Sequence, residues 1–284
     1  MIRRVSIALM MILACSALTA AQGEVSLRPI FKSGDENRYT ISAIVDTNVT
    51  PSGSPGLRGS SRRELNATVL IRTVSVSETG EADLEALVEA LSFNSTSNIG
   101  GSQPPINNHA SGKTIRLKLS PTGLLSKCTV PQSQAYQILL DFILSLARWY
   151  PTGEIAVGES WQSDGHGPLY SAELSPISKR STTLYKLASV EKGTASIEGA
   201  VTLSSNGTSA VNPGASAADV GMIGSGRGTV HFEVDLATGR VLNAITESQI
   251  EGNIANTQPS DGVKPEHRTG SLVEIAKFSI KLVK

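Results

Sequence analysis

Cysteine is nearly missing from the 284 residues: there are two, Cys15 and Cys128. A disulfide framework therefore does not hold this chain, and a chain of its length can supply an apolar core instead. Aromatic residues make up 4% of the sequence, and six of the twelve fall between Tyr136 and Tyr170, which puts the expected core nucleus there. An excess of one charge is missing too. The 25 basic residues balance 25 acidic ones and no long basic run occurs, which argues against nucleic acid as a partner. Beyond the N-terminus no apolar run approaches the ~20 residues of a membrane-spanning helix.

Catalytic signatures are scarce as well. No G-x-S-x-G elbow occurs, and Asp164 and His166 in SDGHG, near Ser160 and Ser163, are neighbours in sequence, which does not make a triad in space. GMIGSGRG, residues 221 to 228, lacks the Lys-Ser/Thr pair of a phosphate loop and reads as a flexible lead into a strand. Cys128 has only Lys127 as a basic neighbour in sequence, so a buried or half-buried thiol is expected rather than an activated one.

What is present begins with a leader. MIRRVSIALMMILACSALTAAQG sets Arg3 and Arg4 before an apolar run and then small residues, the pattern of a signal peptide over residues 1–21, with cleavage after Ala20 or Ala21. ILAC also resembles a lipobox, in which Cys15 would carry lipid; Leu13 is an unusual residue two positions before such a cysteine, so lipidation is the alternative to plain cleavage. The mature chain is expected in the periplasm or outside the cell. Sequons at Asn48, Asn66, Asn94 and Asn206 read as ordinary β-loop chemistry beside a leader of bacterial character.

Residues 22–284 read as one β domain with an internal repeat. LIRTVSV at 70–76 matches LYKLASV at 184–190, and after a turn containing Gly80 or Gly193, EADLEALV matches TASIEGAV. Apolar residues alternate in both (Leu84, Ala86, Val88 against Ile197, Gly199, Val201), the period of a strand with one buried face. GKTIRLKLSPTGLL matches GTVHFEVDLATGRVL if the second turn is one residue longer, with Gly112 and Gly123 spaced like Gly228 and Gly239. A Gly-acid-aromatic stretch opens each half, FKSGDENRY at 31–39 and VGESW at 157–161. The halves run from about 30 to 130 and from about 154 to 284.

Between them lies the one strong helical pattern, residues 133–150, flanked by Pro131 and Pro151. Gln134, Gln137, Asp141, Ser145 and Arg148 form a narrow polar stripe, and the rest of the circumference is apolar, so the helix is expected to be mostly buried. Residues 48–62, 94–111, 204–227 and 252–270, rich in Gly, Pro, Ser and Asn, read as long polar loops on one rim. The fold class expected is mainly β: a pseudo-duplicated antiparallel curved sheet or barrel-like sandwich around one buried apolar helix.

Candidate site residues are few. His231, Glu233 and Asp235 alternate along one strand and could hold a metal or act as acid and base, yet alternation alone makes them the solvent side of an amphipathic strand. Trp149, Trp161 and Tyr136 could line a ligand site, although aromatics beside a buried helix are more often core. No cofactor is implied.

YPTGEIAVGESW, residues 150–161, resembles the middle signature, P-x(5)-V-G-[DE]-S-W, of a family of uncharacterised exported and lipid-anchored bacterial proteins classed as a domain of unknown function. The Phe-x-Val-Asp…Thr-Gly run at 232–239 is similar to that family too, and the resemblance covers residues 28 to 284. It implies a secreted, mostly β domain without assigned catalytic residues, so no role transfers to any residue here.

The function expected is non-catalytic binding of an apolar or amphipathic molecule between sheet and helix in the cell envelope. The alternatives are a structural or assembly module that contacts envelope proteins, and a hydrolytic enzyme using His166 or His231.

Overall fold

The computed structural model describes residues 23–53, 56–99, 104–131, 134–145, 149–165, 179–211, 218–260 and 263–283. The leader with Cys15, and His166, lie outside them. Twelve strands form one antiparallel sheet. In the first half these are β2 (Glu36–Pro51), β3 (Gly59–Val76), β4 (Ala82–Ser97), β5 (Ile106–Ala110), β6 (Lys113–Leu119) and β7 (Leu125–Thr129). The second half supplies β9 (Ser160–Gly165), β10 (Lys179–Glu191), β11 (Thr194–Val211), β12 (Ala218–Asp235), β13 (Arg240–Ser260) and β14 (Val263–Val283). β1 (Val25–Ser26) and β8 (Glu154–Ile155) pair separately.

The chain winds outward from β2 to the edge strand β7, passes through helix α1 (Gln134–Ser145) to the opposite edge β9, and returns strand by strand to β14 beside β2. The sheet is thus mainly β and curved, but it is not closed: β7 and β9 are its two ends. Because one connection must reach from edge to edge, an apolar helix is carried across the inner face, where it hides the apolar alternation of the strands. Phe142 of α1 packs on Phe278 of β14 with ring centroids 5.2 Å apart, and Tyr136, Leu139, Phe142, Ile143 and Leu144 are all buried.

On β2 the inward set is Tyr39, Ile41, Ala43, Val45, Thr47 and Val49. The outer face is charged, with ion pairs Arg38–Glu89, Arg62–Asp46, Arg116–Glu85 and Lys277–Glu247. Exposed pairs of this kind contribute about 0–1 kcal/mol each, so stability rests on the inner face.

The halves share local details. Gly34 N–H donates to Thr73 O and Thr73 N–H to Asp35 O, at 2.8 and 2.9 Å; Gly158 N–H donates to Leu187 O and Leu187 N–H to Glu159 O, at 2.8 and 3.1 Å. Both glycines have positive φ, 86° and 94°, the backbone that glycine adopts without steric cost. Bulges fall between Thr73 and Ser75 in one half and between Leu187 and Ser189 in the other. Gly239 N–H, between β12 and β13, donates to Asp235 O four residues back, and Gly123 N–H, between β6 and β7, donates to Ser120 O three residues back, so the second closing bond spans one residue more.

Four expectations are corrected. The segments at 48–62, 94–111, 204–227 and 252–270 are largely strand, since β2, β3, β4, β5 and β11 to β14 extend through them. The glycine-rich stretch 221–228 is paired on both sides, to β11 and to β13, and is no flexible lead. Doubly laddered backbone satisfies its own polar groups, so low side-chain hydrophobicity does not prevent a strand. Cys128 is exposed, because β7 is an edge strand with nothing packed outside it among the described strands. The helix is described over Gln134–Ser145, and Trp149 and Tyr150, at the end of the pattern 133–150, lie outside it.

Candidate functional site

A cavity of about 90 Å³ lies between the C-terminal end of α1 and the sheet, at the end where the turns of Gly34 and Gly239 meet. Leu84, Leu117 and Leu119 form its sheet wall, and Ile143 and Leu144 its helix wall. Tyr39 and Tyr150 enclose it further, and Pro29, Ile30 and Phe31 cover it.

That cover is a strap. Val25 pairs with Ile155, Leu27 is buried, Arg28 Nη2 donates to Thr152 O at 3.2 Å, and Ile30 N–H donates to Thr238 O at 3.1 Å. Gly239 lets the strap approach: a Cβ added there would stand 1.9 Å from Arg28 O, and its φ is +65°. The Tyr150 hydroxyl donates to Gly239 O at 2.7 Å, which joins the segment after α1 to the same turn.

At the cavity's margin Arg240 Nη2 donates to Asp35 Oδ2 at 2.5 Å, with both side chains part-exposed. Burial pushes the Tyr39 phenol up to about 12, and the nearby Arg240 charge opposes the rise. Burial, with Tyr39 close by, pushes Tyr150 up as well. An apolar chamber with an ion pair at its margin suits a molecule that is greasy at one end. The described lining has no His, Ser or Cys to act as nucleophile or base.

The candidates from sequence separate. Trp149 is buried and stacks on Tyr150 and on Phe232, at centroid distances of 4.2 and 5.1 Å. Trp161 stacks on Tyr185 at 5.4 Å, and Tyr185 meets Phe232 at 6.0 Å, so one run of five rings lines the interior beside the cavity. Tyr136 is buried nearer the other end of α1. Trp149, Trp161 and Tyr136 are not among the residues that line the cavity. His231, Glu233 and Asp235 lie half-buried on the face opposite Val230, Phe232 and Val234. Asp235 serves its turn, accepting from Ala237 N–H and from Thr238 Oγ1 at 2.9 Å each. Among the described residues no group of three His, Cys, Asp or Glu is placed to hold a metal.

Sequence reading overlooked Asp35, Arg240, Phe31 and Tyr39 as site residues. Three of them sit in the FKSGDENRY stretch, which was visible only as a turn motif, and Asp35 and Arg240 are 205 positions apart.

No family model matches the chain, and no curated protein matches it. A solved lipovitellin structure concerned with lipid-protein interactions aligns at 11% identity and a TM-score of 0.49, over 89% of this chain and 25% of that one, so this chain spans a quarter of that neighbour. Pseudomonas aeruginosa OccK7 (OpdD) aligns at 9% identity and a TM-score of 0.27, over 88% and 99%. At these values neither likeness carries an argument. No described helix is long and apolar enough to cross a membrane.

Proposed function

We propose that the protein is an exported, non-catalytic binder of an apolar or amphipathic molecule in the cell envelope, held between α1 and the curved sheet. The observation that carries this reading is the strapped apolar cavity with the Asp35–Arg240 pair at its margin. An engineered apolar cavity of ~150 Å³ holds a benzene ring, so about 90 Å³ accepts a short stretch of hydrocarbon. A longer molecule enters only if the strap or α1 gives way. The same reading takes residues 30–130 and 154–284 as two copies of one unit, supported by the shared turns and bulges, and keeps the resemblance to the exported family, whose signature glycine here makes the Gly158 turn.

The test is native mass spectrometry of the protein purified from its producing cells. A mass increment that organic extraction removes, and that proves to be an apolar compound, supports the reading; apo protein alone, with no uptake of added amphiphile, overturns it.

A second reading, an assembly module, is favoured by one observation. β7 is an edge strand with exposed residues Ser126 to Thr129, a template for strand addition by a partner. Crosslinking from Cys128 in the envelope would capture that partner.

A further inference from the structure

The lining of the strapped cavity changes character from one side to the other. Leu117 of β6 stands opposite Leu84 of β4, and Leu84 stands opposite Thr73 of β3. Thr73 N–H in turn donates to Asp35 O, just ahead of β2, at 2.9 Å. Crossing the sheet along this row, the lining passes from two leucines through a hydroxyl to a carboxylate. Asn37 of β2 adds an amide at the polar end, and Arg240, at the start of β13, adds a guanidinium.

The two charges at that end are already matched. Asp35 Oδ2 accepts from Arg240 Nη2 at 2.5 Å, so a visiting carboxylate would lie beside Asp35 and a visiting ammonium beside Arg240. Neighbouring like charges disfavour the ionised form, and an ion gives up far more hydration than a hydroxyl does on entering an apolar chamber. Tyr39, which lines the cavity, reports the balance: burial pushes its phenol up to about 12 although the Arg240 charge pulls the other way. An oxygen anion is thus disfavoured here even with a guanidinium close by. A neutral hydroxyl meets neither penalty. It can donate to an oxygen of Asp35 and accept from Arg240 or from the Asn37 amide, since a carboxylate and a guanidinium each have more hydrogen-bonding capacity than one bond uses.

Size narrows the class further. A cavity of ~150 Å³ holds benzene, so about 90 Å³ suits about three or four non-hydrogen atoms. We propose that the cavity selects a short uncharged alcohol, with its hydrocarbon against Leu84 and Leu117 and its hydroxyl at Asp35 and Arg240, and that this ion pair rejects acids and amines alike. The inference rests on the binding function proposed above and adds the charge and the polar group of the ligand.

The test is displacement of xenon, followed by xenon NMR, with propan-1-ol, propanoate and propylammonium, which share the same carbon count. Wild-type protein is expected to release xenon to the alcohol at concentrations at least tenfold below those of either ion. Asp35→Asn leaves the Arg240 charge unmatched, so propanoate should gain at least tenfold on the alcohol. Arg240→Gln leaves Asp35 unmatched, so propylammonium should gain by as much. An apolar wall alone would not produce these opposite shifts. An ion that equals the alcohol in wild type, or an order unchanged in both variants, overturns the assignment. So does failure of all three to displace bound xenon, although the binding function then stands; no xenon uptake by wild type removes both.

Discussion

The indole N–H of Trp161 donates to the backbone carbonyl of Trp149 at 2.7 Å. This one bond ties the edge strand β9 to the segment that follows α1. It lies within the five-ring run from Tyr150 to Trp161, which adds to the Tyr150–Gly239 hydrogen bond in joining the helix connection to the second half of the sheet.

Trp161→Phe keeps the ring on Tyr185 and removes the donor, leaving the Trp149 carbonyl unmet. A loss of about 1–3 kcal/mol is expected. Trp149→Ala, which opens a hole between Tyr150 and Phe232, should cost more, about 3–5 kcal/mol. Urea unfolding followed by far-UV circular dichroism gives both. In Trp161→Phe the remaining indole, Trp149, is buried and should emit at short wavelength; emission typical of a hydrated indole would contradict the packing.

Glycine substitutions should separate the turns from the strap. Gly34→Ala and Gly158→Ala force a side chain into the left-handed region, costing about 1–2 kcal/mol each. Gly239→Ala adds a clash of its Cβ with Arg28 O, so it should dislodge the strap before the sheet unfolds. Limited proteolysis is the measurement: cleavage near residues 25–32 should quicken in Gly239→Ala and not in Gly158→Ala. Equal protection in both would mean that the strap is not held at that turn.

Alkaline pH should weaken the fold through its tyrosines. Burial pushes Tyr39 and Tyr185 up to about 12, and it raises Tyr136 and Tyr150 as well. An unfolded tyrosine titrates near ~10. The native advantage is therefore whole below pH ~10 and falls as pH rises through ~12, because the unfolded chain sheds protons that the native one keeps. Urea midpoints should drop steeply over that interval while most phenolate absorbance appears only with unfolding. Phenolate signal from these tyrosines in folded protein near pH ~10 would contradict their burial.

Cys128 on the exposed edge strand should react with a thiol reagent without denaturant. A thiol that needs unfolding before it reacts would place something over β7.

Much of the fold was legible because its signals are local. Alternation at Leu84, Ala86 and Val88, and the positive-φ glycines at 34, 158 and 239, are properties of short stretches. The long strands were not legible, because Gly224, Gly226 and Gly228 carry no alternating hydrophobicity and are strand through pairing with Gly252, Ile250 and Ser248 on β13. The site was seen only in part for the same reason. Asp35 and Phe31 were visible as a turn motif, but their place in a cavity wall depends on β14 lying beside β2, a long-range pairing that no local pattern encodes.

The most direct measurement is titration of the protein with xenon, followed by xenon NMR, in wild type and in Leu117→Phe; xenon is small enough for an apolar cavity of this size. The larger side chain takes up part of the cavity from the sheet wall, at a cost of about 1–3 kcal/mol. Wild type should show saturable uptake with one site per chain, and Leu117→Phe should bind at least tenfold more weakly while it keeps its far-UV spectrum. No saturable uptake by wild type, or uptake unchanged when the cavity is filled, would contradict a ligand held between helix and sheet.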